Sequence, residues 1–292
     1  MTNDSPTRGD KLFVAFQHVI PQHAVSRFIH WATRTRFKPL KNAIISNFVR
    51  GFKPDMTEAT QPDALAFATF NEFFTRTLRP EVRPVDRDPM ALISPVDGTI
   101  SQIGPIDGSQ IIQAKGRHYS VDTLLGGLQD WSKRFAGGSF ATLYLAPYNY
   151  HRIHMPLAGT LRATRFIPGR LFSVNAVTAA AVPGLFARNE RVACLFEAGN
   201  VPFGMVLVGA LNVGSIETVW HGEITPYGPK RVTDLPLPAE RAPLHLDKGD
   251  EMGRFNMGST VILLLPPGAA AWLPELKSGT RIKFGQRLAT LR

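Results

Sequence analysis

The sequence predicts an α+β protein in which a helical region precedes a strand-rich domain of mainly antiparallel β-structure. The chain has 292 residues, and its 25 glycines and 23 prolines predict many turns, which favours strands over a helix bundle. From about residue 92, short runs of alternating apolar residues recur between Gly or Pro turns, a pattern typical of antiparallel sheets. We therefore divide the chain into a basic amphipathic helical region at 1–60 and a β-rich domain at 61–292.

The basic region is distinct in composition. Residues 11–54 contain no Asp or Glu but eight Lys or Arg residues. Pro21 and Pro39 divide this segment into two or three predicted helices. Apolar residues at helical spacing predict two apolar faces: Val25, Phe28, Ile29 and Ala32, then Leu40, Ala43, Ile44 and Phe48. Such helices are typical of a membrane interface; a basic hairpin packed on its own domain and a mitochondrial transit peptide are the alternatives.

The charge balance indicates a polyanionic partner. The formal net charge is +10 and the sequence pI is about 10.0, which fits either nucleic acid or an anionic membrane. The start of the chain lacks the apolar core of a signal peptide, and no apolar run reaches the roughly 18–20 residues of a membrane span. We therefore expect any membrane contact to be at the surface. The single cysteine, Cys194, excludes an intramolecular disulfide and predicts a buried thiol.

Two further segments carry local predictions. Residues 62–78 predict another helix, with a proline near its first turn and a phenylalanine face formed by Phe67, Phe70 and Phe74. Residues 226–244 contain five prolines and predict a long loop. The helix is expected to lead into the β-rich domain, and the loop to interrupt it.

Three short stretches place reactive side chains beside turns. Asp97 stands in SPVDGTI, where an Asp-Gly pair is commonly a simple turn. His151 and His154 stand in YHRIHMP, and their spacing fits metal ligands, an acid–base pair or structural histidines. Because no third ligand accompanies them at a zinc-type spacing, we expect no metal. Ser259 stands in MGSTV, directly before a strand-forming run.

Asp, His and Ser are the components of an activated hydroxyl. Serine is a weak nucleophile unless a base takes its proton and an acid orients that base. Ser259 lacks the G-x-S-x-G pattern of serine hydrolases, because Met257 and Gly258 precede it and Thr260 follows. Glycine leaves its carbonyl open and tolerates strained dihedrals, so Ser259 can attack the peptide bond of Gly258 itself.

Four sequence blocks occur in a fixed order: FNEFFTRTLRPEVRPVD, SPVDGTI, YHRIHMP and FNMGSTVILLLPPG. Together they resemble the bacterial phosphatidylserine decarboxylases, a pyruvoyl-dependent family made as proenzymes. The resemblance runs from about residue 40 to the end of the chain, and the blocks are specific in combination. Met257 replaces the usual leucine before Gly-Ser-Thr, a change that conserves volume and leaves the reacting atoms alone.

The resemblance implies a self-processing enzyme. His154 takes the proton of Ser259, Asp97 orients the imidazole, and the bond between Gly258 and Ser259 is cleaved. The former Ser259 becomes a covalent pyruvoyl group at the start of the small chain.

The resemblance also implies the reaction. The large chain, 1–258, and the small chain, 259–292, stay together. The pyruvoyl group forms a Schiff base with the amine of phosphatidylserine, carbon dioxide leaves, and phosphatidylethanolamine is released. His151 is the implied proton donor, and the separate roles of the two histidines are a hypothesis.

The implied substrate gives the basic region a role. A phospholipid lies in a bilayer, so we expect a peripheral protein on the cytoplasmic face of the cell membrane, docked on anionic phospholipid. A homodimer stays open, and nucleic acid is not expected. The alternatives are a Ser-His-Asp hydrolase or peptidase acting on an external substrate, a non-catalytic binding module, and a pyruvoyl decarboxylase of a soluble amino acid.

Overall fold

The computed structural model describes residues 7–114, 116–211, 215–238, 243–257 and 260–292. Gly258 and Ser259, the predicted cleavage site, lie outside the described residues. Short helices and antiparallel sheets make up the fold, which confirms the α+β prediction. None of the helices described has the length and apolar composition that a bilayer span requires.

Three helices form the N-terminal region, as predicted: α1 (Arg8–Val19), α2 (Gln22–Thr33) and α3 (Lys38–Phe52). Pro21 directly precedes α2, and Pro39 lies in the first turn of α3, where a missing N–H breaks no helical hydrogen bond. The later helices are short: α4 (Phe70–Phe74), α5 (Val121–Leu124), α6 (Gln129–Phe135), α7 (Ala176–Ala181) and α8 (Leu185–Arg188).

The predicted apolar runs between residue 92 and the end of the chain form strands. The described residues contain β1 (Ala91–Ile93), β2 (Gly98–Pro105), β3 (Gln110–Ala114), β4 (Arg117–Ser120), β5 (Ser139–Tyr144), β6 (Arg152–His154), β7 (Gly159–Ile167), β8 (Arg191–Ala198), β9 (Val201–Val208), β10 (Ile216–Thr218), β11 (Gly222–Glu223), β12 (Thr233–Leu235), β13 (His245–Leu246), β14 (Glu251–Phe255), β15 (Thr260–Leu265), β16 (Ala270–Trp272), β17 (Arg281–Ile282) and β18 (Arg287–Leu291). Every pair of these strands that is hydrogen-bonded is antiparallel.

The largest sheet has the order β12-β7-β8-β9-β15-β5-β2-β17, with β13 also paired to β7. A second sheet has the order β11-β10-β14-β6, a third has the order β1-β18-β16, and β3 pairs with β4. Strand β15 is central in the largest sheet, between β5 and β9, and all six of its residues are buried. The strand directly after the predicted cleavage site is therefore buried along its whole length.

Both faces of β15 are covered by apolar side chains. Val261 and Leu263 join one hydrophobic cluster, and Ile262 and Leu264 join another on the opposite face. A strand covered on both faces is apolar without alternation, which explains the continuous VILLL run. Cys194 is buried in the first of these clusters as a free thiol, as predicted.

The predicted helix over 62–78 is wrong in extent. The structure has a 3-10 turn at Ala64–Ala66 and then α4, with extended backbone at Phe67 and Thr69 between them. The Asp63 carboxylate accepts from the N–H of Leu65, and the Thr69 hydroxyl starts α4 by accepting from Glu72. Side-chain caps of this kind compete with a continuous helix.

The loop predicted over 226–244 is also not fully irregular. Strand β12 lies inside it and pairs with β7, while residues 239–242 lie outside the described residues. β12 is at the edge of the largest sheet, a position where neighbouring prolines cost no ladder hydrogen bond.

Candidate active site

The candidate site lies at the start of β15. Thr260 pairs with Tyr144 of β5 on one side and with Val208 of β9 on the other. Its hydroxyl oxygen is buried and has no hydrogen-bond partner among the described residues. Because Thr260 is fixed on both sides, the sheet holds the chain directly after Ser259 in one position.

His151 lies just before β6, is fully buried, and contacts the ring of Phe74 with centroids 4.1 Å apart. Its Nδ1 is 2.8 Å from the carbonyl oxygen of Asn149. A carbonyl only accepts, so Nδ1 carries the proton and Nε2 carries the lone pair. Burial lowers the pKa of His151 to about 3, and Nε2 has no partner among the described residues. His151 is therefore a neutral imidazole with a free acceptor nitrogen.

His154 ends β6, and both of its ring nitrogens have partners. Nδ1 donates to the carbonyl oxygen of Gly249 at 2.8 Å, and Nε2 is 3.1 Å from the Tyr150 hydroxyl. Burial raises the pKa of Tyr150, so the phenol stays protonated and donates to Nε2. The ring also stacks on Phe284 at 3.7 Å. Burial lowers the pKa of His154, which makes it a neutral base whose lone pair is at Nε2.

Asp97 lies directly before β2 and is held by an arginine that the sequence analysis did not single out. Arg83 donates from Nε to Oδ1 at 2.9 Å and from Nη2 to Oδ2 at 2.6 Å. Burial by itself lowers the pKa of Arg83, but hydrogen bonds from Arg83 to Asp97 and Glu58 raise it above its ordinary value. The pair is therefore ionised and rigid.

The predicted contact between Asp97 and His154 is indirect in this structure. The backbone N–H of Phe284 donates to Asp97 Oδ1 at 2.8 Å, and the Phe284 ring stacks on His154. The two residues are thus in one cluster without a direct hydrogen bond. The orienting role of Asp97 stays a prediction.

An apolar cavity of about 330 Å³ adjoins Phe74, whose ring contacts His151. It is lined by Phe48, Phe52, Phe74, Tyr144, Leu145, Pro147, Ser173, Val174, Asn175, Ala210, Leu211 and Met257. Met257 is two residues before Ser259, and Tyr144 is the strand partner of Thr260. The cavity therefore reaches Met257 before the predicted cleavage site and the strand partner of Thr260 after it, and α3 forms part of its wall.

The described residues contain no group of three or more His, Cys, Asp or Glu side chains that could hold a metal ion. The chemistry that these residues offer is instead that of two neutral imidazoles, a buried ionised carboxylate and an apolar cavity. Such a site can move a proton and hold an apolar molecule beside the start of β15.

Comparison with known proteins gives a consistent result. The family model described as phosphatidylserine decarboxylase matches residues 70–290, and a model described as PSD matches residues 12–53. The phosphatidylserine decarboxylase proenzyme of Bordetella bronchiseptica is 52% identical over 280 residues, which cover 96% of this chain and 94% of the relative. Proteins with the same name from Alkalilimnicola ehrlichii and Pseudomonas fluorescens are 54% and 49% identical. Those alignments cover 90% and 96% of this chain, and 91% and 98% of the relatives.

The fold and the family define the class of protein as an enzyme, a carboxy-lyase. The chain belongs to the phosphatidylserine decarboxylase family, as the four sequence blocks predicted.

Proposed function

We propose that this chain is a proenzyme that cleaves itself between Gly258 and Ser259 and then converts phosphatidylserine to phosphatidylethanolamine and carbon dioxide. The observation that carries the proposal is the apolar cavity, because α3, Met257 and Tyr144, the strand partner of Thr260, line it together. A phospholipid needs an apolar surface next to the reacting atoms, and this cavity offers one.

Self-cleavage begins at the Ser259 hydroxyl. Its oxygen bonds to the carbonyl carbon of Gly258 while its proton moves through His154 to the departing nitrogen, so the amide becomes an ester. Residue 259 then loses its Cα proton, and the bond from its Cβ to the ester oxygen breaks. The released carboxylate makes Gly258 a C-terminus, and residue 259 becomes dehydroalanine. Addition of water and loss of ammonia then give the pyruvoyl ketone.

The geometry of His154 suits the first proton transfer. Its Nδ1 is already committed to Gly249, so Nε2 is the nitrogen that accepts the proton. Tyr150 must first give up its hydrogen bond to Nε2 or relay the proton through its hydroxyl. Asp97 stabilises the positive charge that forms on the ring, and two hydrogen bonds from Arg83 hold the Asp97 carboxylate in place.

The described residues fit a pyruvoyl group at this position. Strand pairing at Thr260 anchors the new N-terminus, and β15, β17 and β18 of the small chain pair with strands of the large chain. When formed, the group supplies the ketone that accepts the substrate amine and draws electrons from the breaking bond. The Nε2 of His151 is buried and has no hydrogen-bond partner in the part of the chain that the structure describes, as expected for a group that faces substrate.

His151 is the proposed source of the proton that replaces carbon dioxide on the substrate. Because burial lowers its pKa to about 3, His151 must gain a proton at Nε2 before it donates one. We expect His151→Ala to process fully but lose decarboxylation, and His154→Ala to stay a single chain. A His151→Ala protein that processes fully and decarboxylates at the normal rate would remove His151 from the mechanism.

The N-terminal helices support docking on a membrane, because their polar faces turn inward. Gln17 accepts from the backbone N–H of Ser173 at 2.7 Å, and Gln22 accepts from that of Leu171 at 2.9 Å. The large apolar side chains of α1 and α2 face outward, with Val19 84% and Trp31 62% exposed. Outward apolar groups among cations fit the interface of an anionic bilayer. We propose a peripheral site on the cytoplasmic face of the cell membrane.

The intact mass of the purified protein tests self-cleavage, with Ser259→Ala as the matched control. We expect chains 1–258 and 259–292, the smaller with a blocked N-terminus, and one uncleaved chain in Ser259→Ala. An intact wild-type chain that a fluorophosphonate labels at Ser259 would support the hydrolase alternative and contradict the proposal.

A second assay tests the substrate. Carbon dioxide release is measured with vesicles containing phosphatidylserine and, separately, with free serine. We expect release from vesicles only. Equal or faster release from free serine would assign the enzyme to a soluble amino acid.

A further inference from the structure

A second cavity of about 330 Å³ lies on the other side of the loop that joins β5 to β6. It shares no lining residue with the apolar cavity, and most of its lining residues are polar or charged. We call it the basic pocket, and its charged lining residues are Lys53, Asp55, Glu58, Arg76, Arg83, Asp97, Arg281 and Lys283. The pocket therefore joins the end of α3 to strand β17 beside Asp97.

The cations of the basic pocket exceed its acids. Arg83 is paired with both Asp97 and Glu58, and Lys283 is 3.2 Å from Glu58. The other three cations, Lys53, Arg76 and Arg281, have no carboxylate within 4.0 Å among the described residues. Asp55, the remaining acid, accepts from the backbone and hydroxyl of Thr57. The five cations and three acids therefore leave the pocket with a net charge of +2.

Arg76 is the most informative of these cations because it is only 4% exposed. Its Nε has no hydrogen-bond partner among the described residues, and its Nη2 makes one long contact of 3.4 Å to the Tyr148 carbonyl oxygen. The guanidinium lies 5.8 Å from the centre of the Phe73 ring. A buried guanidinium that leaves a hydrogen-bond donor unfilled is costly, so folded proteins rarely keep one unless a ligand completes it.

The position of Lys53 supports the same interpretation. Lys53 ends α3 with φ 49, the left-handed conformation that favours glycine, and it is the one non-glycine residue with positive φ among the described residues. Its side chain is exposed and lines the pocket. A strained backbone that carries a lysine to a cluster of unpaired cations indicates a functional constraint.

We propose that the basic pocket binds a phosphate-class anion through Lys53, Arg76 and Arg281. Arginine presents paired N–H donors that match phosphate oxygens, and the volume lies within the roughly 300–1,000 Å³ of ligand pockets. Free phosphate and the phosphate of a membrane phospholipid share this chemistry, and α3 brings the exposed Phe52 beside Lys53. Asp97 and Arg83 line the same pocket, but the three cations that bind the anion have no role in the proposed cleavage or decarboxylation.

Thermal unfolding of the full-length processed protein tests the site. Sodium phosphate is titrated at an ionic strength held constant with sodium chloride, and the rise of the unfolding midpoint gives an apparent Kd. Lys53→Gln and Arg281→Gln each remove one exposed cation of the pocket. Lys277→Gln is the matched control, because Lys277 is exposed and close to Arg281 in sequence but does not line the pocket.

We expect phosphate to raise the midpoint of the wild type and of Lys277→Gln equally. Loss of one charge-assisted hydrogen bond should weaken apparent binding about tenfold in Lys53→Gln and in Arg281→Gln. Arg76→Gln should abolish the effect if it folds, and the two exposed variants decide the question if it does not. No effect of phosphate beyond that of chloride, or equal effects in all variants, would overturn the proposal.

Dihexanoyl phosphatidic acid, used as a dissolved probe, distinguishes the two sources. Its binding is measured in the wild type and in Arg281→Gln, so that binding in the apolar cavity is subtracted. Pocket-dependent binding at least tenfold tighter than that of phosphate would assign the site to a lipid. Equal or weaker binding would support a site for free phosphate.

Discussion

Glu190 provides a quantitative test of how burial acts in this fold. It directly precedes β8 and is 7% exposed, and burial raises its carboxyl pKa from an ordinary 4.5 to about 7. The folded state therefore binds this proton more tightly than the unfolded state, and the ionised form destabilises the fold. The stability contributed by protonated Glu190 is complete below about pH 4.5 and is lost as pH rises through about 7. The shift of about 2.5 pH units corresponds to about 3 kcal/mol.

Glu190→Gln keeps the shape of the side chain and removes its titration. The free energy of unfolding, measured by urea denaturation between pH 5 and pH 9, should fall with pH more steeply in the wild type than in the variant. The difference between the two proteins should change by up to about 3 kcal/mol across this range. Glu275→Gln, at an exposed position, is the control and should follow the wild type. A Glu190→Gln curve parallel to the wild type would refute the assignment of the cost to burial.

Three further predictions follow from the contacts. Gly98→Ala would place its Cβ 2.5 Å from a backbone carbonyl oxygen of β5, so we expect a lower unfolding midpoint and slower self-cleavage on a gel. Arg83→Gln leaves Asp97 buried without its ion pair, and urea denaturation should show a loss of about 3–5 kcal/mol, with a smaller loss in Arg83→Lys. Phe16→Ser with Trp31→Ser changes two exposed side chains; the free energy of unfolding should stay within about 0.5 kcal/mol while vesicle sedimentation falls, and unchanged sedimentation would contradict docking through α1 and α2.

The sequence was sufficient for most of the fold, and the reason is local. Gly and Pro turns delimit the strands, and runs such as VILLL remain apolar because both faces of β15 are covered. The prediction for 62–78 was wrong because side-chain caps at Asp63 and Thr69 divide the segment. Its apolar pattern was still informative, since Phe70 and Phe74 pack in a cluster with α3.

The site was less predictable because its contacts join distant parts of the chain. The block FNEFFTRTLRPEVRPVD contains both Arg76 and Arg83, but nothing local distinguishes the arginine paired with Asp97 from the one without a carboxylate. The contact between Tyr150 and His154 spans four residues and could have been predicted from the sequence, since both residues belong to YHRIHMP. The stacking of His154 on Phe284 could not be predicted in this way, because Phe284 comes from the far end of the chain.

The sequence also did not predict which face of each amphipathic helix turns toward the protein. The observed orientation is consistent with the proposed docking, in which the membrane and the site act together. Periodicity gives the faces of a helix but not the face that turns inward, and here the inward face is polar. Gln17 and Gln22 hold α1 and α2 against residues 171–173, and Ser173 also lines the apolar cavity. α3 lines that cavity directly, whereas α1 and α2 contact only the segment that contains Ser173. A lipid entering from a docked bilayer would therefore reach the start of β15 without crossing the aqueous phase.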